Sequence, residues 1–283
     1  MLACAAALLG FAANSLLARR ALGSDLVDAA TFTTVRLASG ALLLGGIIRA
    51  RGGAPLSEGS WRGAAALLAY AAAFSFSYVR IGAALGALVL FPTVKLALLA
   101  WGAGRGEHPR RLEWLGAVTA LTGLVLLTLP GVGTVDARGI GLMILAGLAW
   151  AVYTVEGRRM GRPAVATAGN FLRATLLAAP LFWVGLRHGH ATAAGLLLAA
   201  VSGSIASAVG YALWYSVVPH LSAIHLGLAQ VSVPALAGLG AVVLLGETLT
   251  GRFLAAAAVI FLGVGLAVPR AVNQRTSPDP PGE

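Results

Sequence analysis

The sequence predicts an all-α integral membrane protein with ten transmembrane helices, arranged as two inverted five-helix repeats. Three observations predict it. The 283 residues are 58% hydrophobic and only 11% charged, where a soluble domain carries about 25% charged residues. The apolar residues fall into ten runs, each close to the roughly 20 residues that a helix needs to cross a bilayer core. Landmarks of the first half return in the second half at a nearly constant offset.

Composition excludes several classes. So much apolar surface cannot be hidden around one water-facing core, so lipid must be the solvent for the outside. All but one of the 20 basic residues are Arg, and the formal net charge is +10. These charges stand singly between apolar runs. They are read as flanking charges that orient spans and meet anionic lipid, not as a nucleic-acid surface. Cys4 is the single cysteine, so no intramolecular disulfide is possible. The first apolar run starts near Met1 without a basic leader, carries Asn14 and lacks a small-residue cleavage site. It is expected to be a retained helix.

Gly, Pro and charge clusters mark the breaks between spans. They place helices near 2–18, 29–48, 62–80, 82–103 and 112–130, then near 138–157, 165–186, 193–217, 221–245 and 251–269. The connections are short. The longest, "RARGGAPLSEGSW", has the turn chemistry and charge of a solvated loop. Residues 271–283 are polar and Pro-rich and are expected to form a disordered cytoplasmic tail. A closed β-barrel is the other way to span a bilayer. Runs such as "AVVLL" and "LAAAAVIFLG" lack the apolar–polar alternation it requires.

The repeat is visible in four landmarks. Arg19 in "LLARRALG" matches Arg158 in "TVEGRRMG", an offset of 139. Arg36 in "TTVRLASGALLL" matches Arg173 in "NFLRATLLAAPL", an offset of 137. Gly106-Glu107 matches Gly246-Glu247 at 140, and Pro130 matches Pro269 at 139. The repeats are thus 1–132 and 138–270. Each holds an odd number of spans, so the two must cross in opposite directions. With both termini cytoplasmic, eleven arginines lie on inner segments and six on outer ones. That bias matches the positive-inside rule.

Two closing cassettes carry a resemblance. One is "RIGAALGALVLFPTVKLALLAWGAGRGEHPRRLEWLGAVTALTGLVLLTLP". The other is "HLSAIHLGLAQVSVPALAGLGAVVLLGETLTGRFLAAAAVIFLGVGLAVP". Each is an apolar helix, a Gly-Glu junction, and a helix that ends in Pro after a Gly-rich stretch. Together with "GLAWAVYTVEGRR", they make residues 2–270 resemble the drug/metabolite transporter superfamily, specifically its EamA-type members. The resemblance implies carriage of small metabolites by alternating access, often outward. It also implies that helices 1, 3, 4, 6, 8 and 9 surround a central cavity.

Ionisable groups inside spans are costly and mark function or a buried partner. Lys95 is the deepest. It lies three residues after Pro92, which frees the carbonyl of Leu88, so a kinked helix with a nearby ammonium makes it a substrate-binding candidate, with a structural ion pair or carbonyl partner and snorkelling to the interface as the other readings. On the implied map, Asn14, Trp150, Tyr153, Tyr211 and Gln230 are the other substrate-binding candidates, each also explicable by packing or an internal hydrogen bond. Arg36 and Arg173 are read as gating or structural charges. Arg cannot shed its proton, so each needs a carbonyl, carboxylate or water. Asn170 would share the face of Arg173.

Carboxylates avoid the spans. Glu107 and Glu247 follow Gly at helix ends, where they would complement the N-terminus of the next helix. Glu156 sits beside Arg158 and Arg159 at the inner boundary, where pairing is its expected role. Distant small multidrug exporters carry a carboxylate in their first helix. Here that helix carries Asn14, which argues against lipophilic-cation export. His225 could titrate near neutrality but is more simply a satisfied core residue. His188 and His190 lack a third ligand, so no metal site is expected, and no cofactor. Ser202, Ser204 and Ser207 have no His–Asp partner, so no embedded enzyme is expected.

The function that follows is a secondary transporter in the bacterial inner membrane. It would export a small anionic or zwitterionic metabolite, such as an amino acid or carboxylate. A lipid or lipid-head-group flippase is the second reading. Partners are the small-molecule substrate and membrane lipid. The residues leave monomer and homodimer open.

Overall fold

The computed structural model describes residues 2–106, 110–128, 136–157, 160–217 and 223–266, with the backbone alone for 124, 125, 127, 128, 215, 217, 223–232 and 264. The first half holds α1 (Leu2–Gly23), α2 (Ala29–Ala50), α3 (Trp61–Tyr78), α4 (Ala83–Ala103) and α5 (Arg111–Thr128). The second half holds α6 (Ala137–Gly157), α7 (Pro163–Leu177), α8 (Ala179–His188), α9 (Ala193–Val201), α10 (Gly210–Val217), α11 (Ala223–Leu245) and α12 (Gly251–Leu266). A π-helical segment, Ser202–Val209, joins α9 to α10 without a break. The described residues form no strand beyond one isolated bridge, Val27 with Ala191.

Helical stretches occupy all ten positions predicted from the apolar runs, and two of them are interrupted. Pro180 stands in the first turn of α8, so the seventh stretch bends by 50° between α7 and α8. A proline lacks the amide that would bond back across the bend. The eighth stretch holds the π-helical turns. Where caps are described, they follow ordinary chemistry. The Asp28 carboxylate accepts from the amides of Ala30 and Thr31 at 2.9 Å and starts α2. Ser60 and Thr192 do the same for α3 and α9. Gly106 and Gly246 take positive φ, +85° and +67°, just past α4 and α11, where any other residue would be strained.

α1, α2, α4, α6 and Ala193–Trp214 are each long and apolar enough to cross a bilayer, and the bent α7–α8 pair is a sixth. Large apolar side chains face outward around the bundle. Leu42, Leu176, Leu197, Val243 and Leu262 are all more than half exposed. In water this periphery would be a set of unstable patches; in lipid it is the normal exterior.

Packing partners come in pairs related by exchange of the halves. α1 packs on α11, and α6 on α4; α1 packs on the α9–α10 stretch, and α6 on α3. α2 packs on the π-helical segment, and α7 on α3. α5 with α12, α2 with α7 and α4 with α11 are their own counterparts. Small residues permit the close crossings. A Cβ on Gly203 would collide with the Arg36 carbonyl, and one on Gly86 with the Tyr78 ring.

Among the described residues, four arginine–carboxylate ion pairs and a His190–Asp25 contact sort to the two ends of the bundle. Arg19–Glu247, Arg80–Asp136 and His190–Asp25 lie at one end, Arg62–Glu156 and Arg162–Glu58 at the other. Glu156 is thus paired at 3.8 Å, with Arg62 as its partner. Arg158, Arg159, Glu107, Pro130, Pro269 and the 271–283 tail lie outside the described residues.

Candidate functional site

A buried polar cluster lies where α1, α2, α3 and the π-helical segment meet. Its centre is Arg36, 1% exposed. The Arg36 Nε donates to Ser207 Oγ at 3.1 Å. Its Nη2 donates to the Tyr211 hydroxyl at 3.0 Å and the Tyr70 hydroxyl at 3.3 Å. The guanidinium carbon lies 5.1 Å from the Tyr70 ring centre and 4.8 Å from that of Phe74. Nη1 makes no hydrogen bond with any described group.

Asn14 closes the other side of the cluster. Its Oδ1 accepts from Ser202 Oγ at 2.7 Å and from Ser207 Oγ at 3.4 Å. Its Nδ2 donates to the Tyr70 hydroxyl at 3.5 Å, and the Tyr211 hydroxyl donates to the same oxygen at 3.3 Å. Among the described residues no carboxylate reaches Arg36. A charged group taken from water costs several kcal/mol unless it is compensated. Here the compensation is three hydroxyls and two ring faces, without an opposing charge.

The hydroxyl face of this cluster forms one wall of a cavity. Phe11, Asn14, Ser15, Tyr70, Phe74, Leu90, Phe91, Trp150 and Tyr211 line it. It encloses about 20 Å³, room for about one water. Trp150 is its aromatic floor, with ring centres 4.5 Å from Tyr211, 4.9 Å from Tyr70 and 6.3 Å from Phe11. Tyr153 packs behind Trp150 at 5.3 Å and is fully buried.

The sequence candidates thus separate. Asn14, Trp150 and Tyr211 come together on the cavity, Arg36 stands directly behind its wall, and Tyr153 supports the floor. Lys95 is not among the lining residues; Glu113 on α5 is the acidic group whose charge acts on it. The side chain of Gln230 lies outside the described residues. Arg173 donates to the carbonyls of Glu58 at 2.9 Å and Leu56 at 3.2 Å. With Asn170, which accepts from the Ser60 amide at 2.9 Å, it ties α7 to the α2–α3 loop. The repeat-related pair Arg36 and Arg173 therefore sit in different surroundings, one in the core and one at a loop.

Sequence reasoning missed Tyr70 and Phe11. The repeat offset is a signal for both. Tyr70 and Tyr211 are 141 residues apart, and Phe11 stands 139 before Trp150. Ser202 and Ser207, noted in the sequence only for the want of a His–Asp partner, hydrogen-bond in the cluster. Glu247 also departs from expectation. It complements a helix N-terminus, but that of α4 in the other half: its carboxylate accepts from the amides of Ala83 at 2.9 Å and Ala84 at 3.4 Å.

Two carboxylates outside the membrane segments are shifted. Arg162 donates to Glu58 through Nε at 2.7 Å and its amide at 2.9 Å, which holds the Glu58 carboxyl below its usual range. The Arg80 guanidinium does the same for Asp136.

A helical bundle with an apolar exterior and a buried polar cavity defines a multi-pass membrane protein with a polar site in its interior. Comparison with known proteins makes the class specific. Residues 137–268 match the model of the EamA-like transporter family. An uncharacterized protein of Pseudomonas aeruginosa is 47% identical over 262 residues, 92% of this chain and 91% of that one. The threonine/homoserine exporter RhtA of Salmonella typhimurium is 32% identical over 166 residues, and that of Escherichia coli 31%. These matches span 55% of this chain and about half, 55%, of the exporter's length. A solved crystal structure superposes with a TM-score of 0.68 at 22% identity, covering 94% of this chain and 96% of that one, and so shares the fold. The chain belongs to the EamA-like transporter family of the drug/metabolite transporter superfamily.

Proposed function

We propose that this protein is a secondary carrier that exports a small anionic or zwitterionic metabolite, an amino acid or a carboxylate, across the bacterial inner membrane. One observation carries the reading: the cavity wall is backed by a buried guanidinium with no opposing carboxylate among the described residues. A site with fixed positive charge in a low-dielectric interior favours an anionic group and rejects a simple cation. The relatives named threonine/homoserine exporters point to the same solute class.

The working architecture is ten crossings with both termini cytoplasmic, the two halves 1–132 and 138–270 running in opposite directions. The exchange symmetry of the packing partners supports it, as does the sorting of ion pairs to alternate ends. Alternating access is then a rocking of one half against the other about the cavity. Counterflow into proteoliposomes, with a panel of amino acids and small carboxylates, tests the reading. Exchange of simple cations with no exchange of carboxylates would overturn it.

A second reading rests on a different feature. α2 and the bent α7–α8 helix enclose an open, mainly apolar groove of about 550 Å³, lined by residues including Val35, Leu176, Phe182 and Leu186. A lateral opening of that kind suits a lipid chain. Scrambling of a fluorescent phospholipid in the same vesicles decides for it, and its absence decides against it.

A further inference from the structure

The carrier reading leaves open how the cavity tells one solute from another, and the cluster around Arg36 supplies a chemical answer that rests on that reading. Three facts bear on it. First, Arg36 is a permanent cation whose Nη1 has no hydrogen-bond partner among the described groups. A buried donor left this way carries a desolvation cost that a ligand can remove. Second, the bonds converging on the Tyr70 oxygen are long: 3.5 Å from Asn14, 3.3 Å from Tyr211 and 3.3 Å from Arg36. Amide and hydroxyl bonds are strongest below about 3.2 and 3.0 Å. These contacts can be exchanged for better ones at small cost, unlike the 2.7 Å bond from Ser202 to Asn14. Third, the rest of the cavity is aromatic. Phe11, Trp150 and Tyr211 stand with ring centres 4.5 to 6.3 Å apart, a spacing that suits an ammonium held by ring faces.

We infer that Arg36 with the Tyr70 and Tyr211 hydroxyls is the receptor for the carboxylate of a zwitterionic α-amino acid, and that the Phe11–Trp150–Tyr211 rings hold its ammonium. The carboxylate takes the Tyr211 proton now donated to the Tyr70 oxygen, together with the proton of Tyr70 itself. The guanidinium behind them supplies the charge through Nη2 and gains a partner for Nη1. No acid is needed for the ammonium, because the rings provide the attraction. With room for about one water, the cavity stands closed, and solute entry opens it by parting the Tyr70–Tyr211 contact.

Three probes of one skeleton separate the two charges. L-Threonine has both, L-threoninol lacks the carboxylate, and 3-hydroxybutyrate lacks the ammonium. Counterflow is measured with each in proteoliposomes of the full chain, with the twenty common amino acids as competing counter-solutes. Wild type is expected to exchange an amino acid with a KM at least tenfold below that of either truncated probe. Arg36→Lys keeps the charge but loses the fork. It is expected to raise the KM about 10- to 100-fold, to leave the threoninol KM unchanged, and to hold its Tm within a few degrees. The Tyr70→Phe and Tyr211→Phe pair, which keeps the ring packing, is expected to do the same, so the inference survives an Arg36 variant that fails to fold. Wild-type discrimination retained in folded Arg36→Lys and in the tyrosine pair would overturn the inference and leave the carrier reading intact. Equal exchange of threoninol and threonine by wild type does likewise. Exchange of none of the amino acids or the hydroxy acid overturns both.

Discussion

Arg19 on α1 and Glu247 beyond α11, 228 residues apart in the chain, meet at 3.3 Å at one end of the bundle. Arg19 also donates to the Tyr78 carbonyl at 2.9 Å, and Glu247 accepts from the first amides of α4. One ion pair thus gathers α1, the end of α3, the start of α4 and the α11–α12 junction. Both side chains are partly exposed, at 27% and 19%, so the tie can break and re-form against water. Glu247→Gln removes the charge and weakens the cap. It is expected to lower stability by about 0.5–2 kcal/mol and to open that end. Maleimide labelling of Ser15→Cys, in a background with Cys4→Ser, reads the opening. The added cysteine lines the cavity, and its labelling should rise severalfold over the Glu247-containing parent.

Asn14→Asp places a carboxylate among hydroxyls that already donate to that position. Ser202 and Ser207 can serve the new oxygens, and Ser207 links them to Arg36. The expected result is a folded protein with an unchanged or raised Tm, because the buried cation gains an opposing charge. Transport of anionic and zwitterionic probes is expected to fall at least tenfold in counterflow, since the positive field of the site is cancelled. Wild-type transport of a monoanion by the folded variant would contradict the electrostatic account.

Gly203 lies against the Arg36 carbonyl and the Ser39 hydroxyl. Gly203→Ala forces α2 away from the π-helical segment. Overpacking of this kind costs about 1–3 kcal/mol, so a Tm lowered by several degrees is expected. Gly141→Ala is the control, because nothing lies within 4 Å of the added carbon and the substitution should be neutral or slightly stabilising.

Glu58 and Arg162 join the α2–α3 loop to the start of α7. The Glu58 carboxyl is held below its ordinary value of 4.5. Its ionised form therefore stabilises the tie at full strength above about pH 4.5, and this contribution fades as pH falls through the lower value in the folded protein. Hydrogen exchange at the Arg162 amide, corrected for the intrinsic pH dependence, should lose protection below that range. In Glu58→Gln the protection should be lower at neutral pH and flat with acidification.

The helices were legible because the bilayer demands long apolar runs, and Gly106, Gly246 and Pro180 mark their ends and breaks in one dimension. The cavity was legible in part. Trp150 and Tyr211 stand out as large polar-edged aromatics within apolar runs, and Asn14 as an amide where lipid-facing chemistry forbids one. Tyr70 hides in "LLAYAAAF", where a tyrosine is an ordinary core residue, until its 141-residue distance from Tyr211 is set beside the repeat offset. The path of Glu247 to α4 was not legible, because the following helix is nearer in sequence and only tertiary packing brings Ala83 within reach. Nothing in "SGSIASAV" demands π winding.

The π-helical segment carries one more implication. Its looser winding sets the rotational phase of everything after it, Tyr211 and Trp214 included, relative to α9. Drawing Ser202–Val209 into regular α geometry, where successive residues are about 100° apart, would swing those two rings around the helix axis without breaking the rod. Tyr211 would leave Arg36, and the aromatic floor would lose a side.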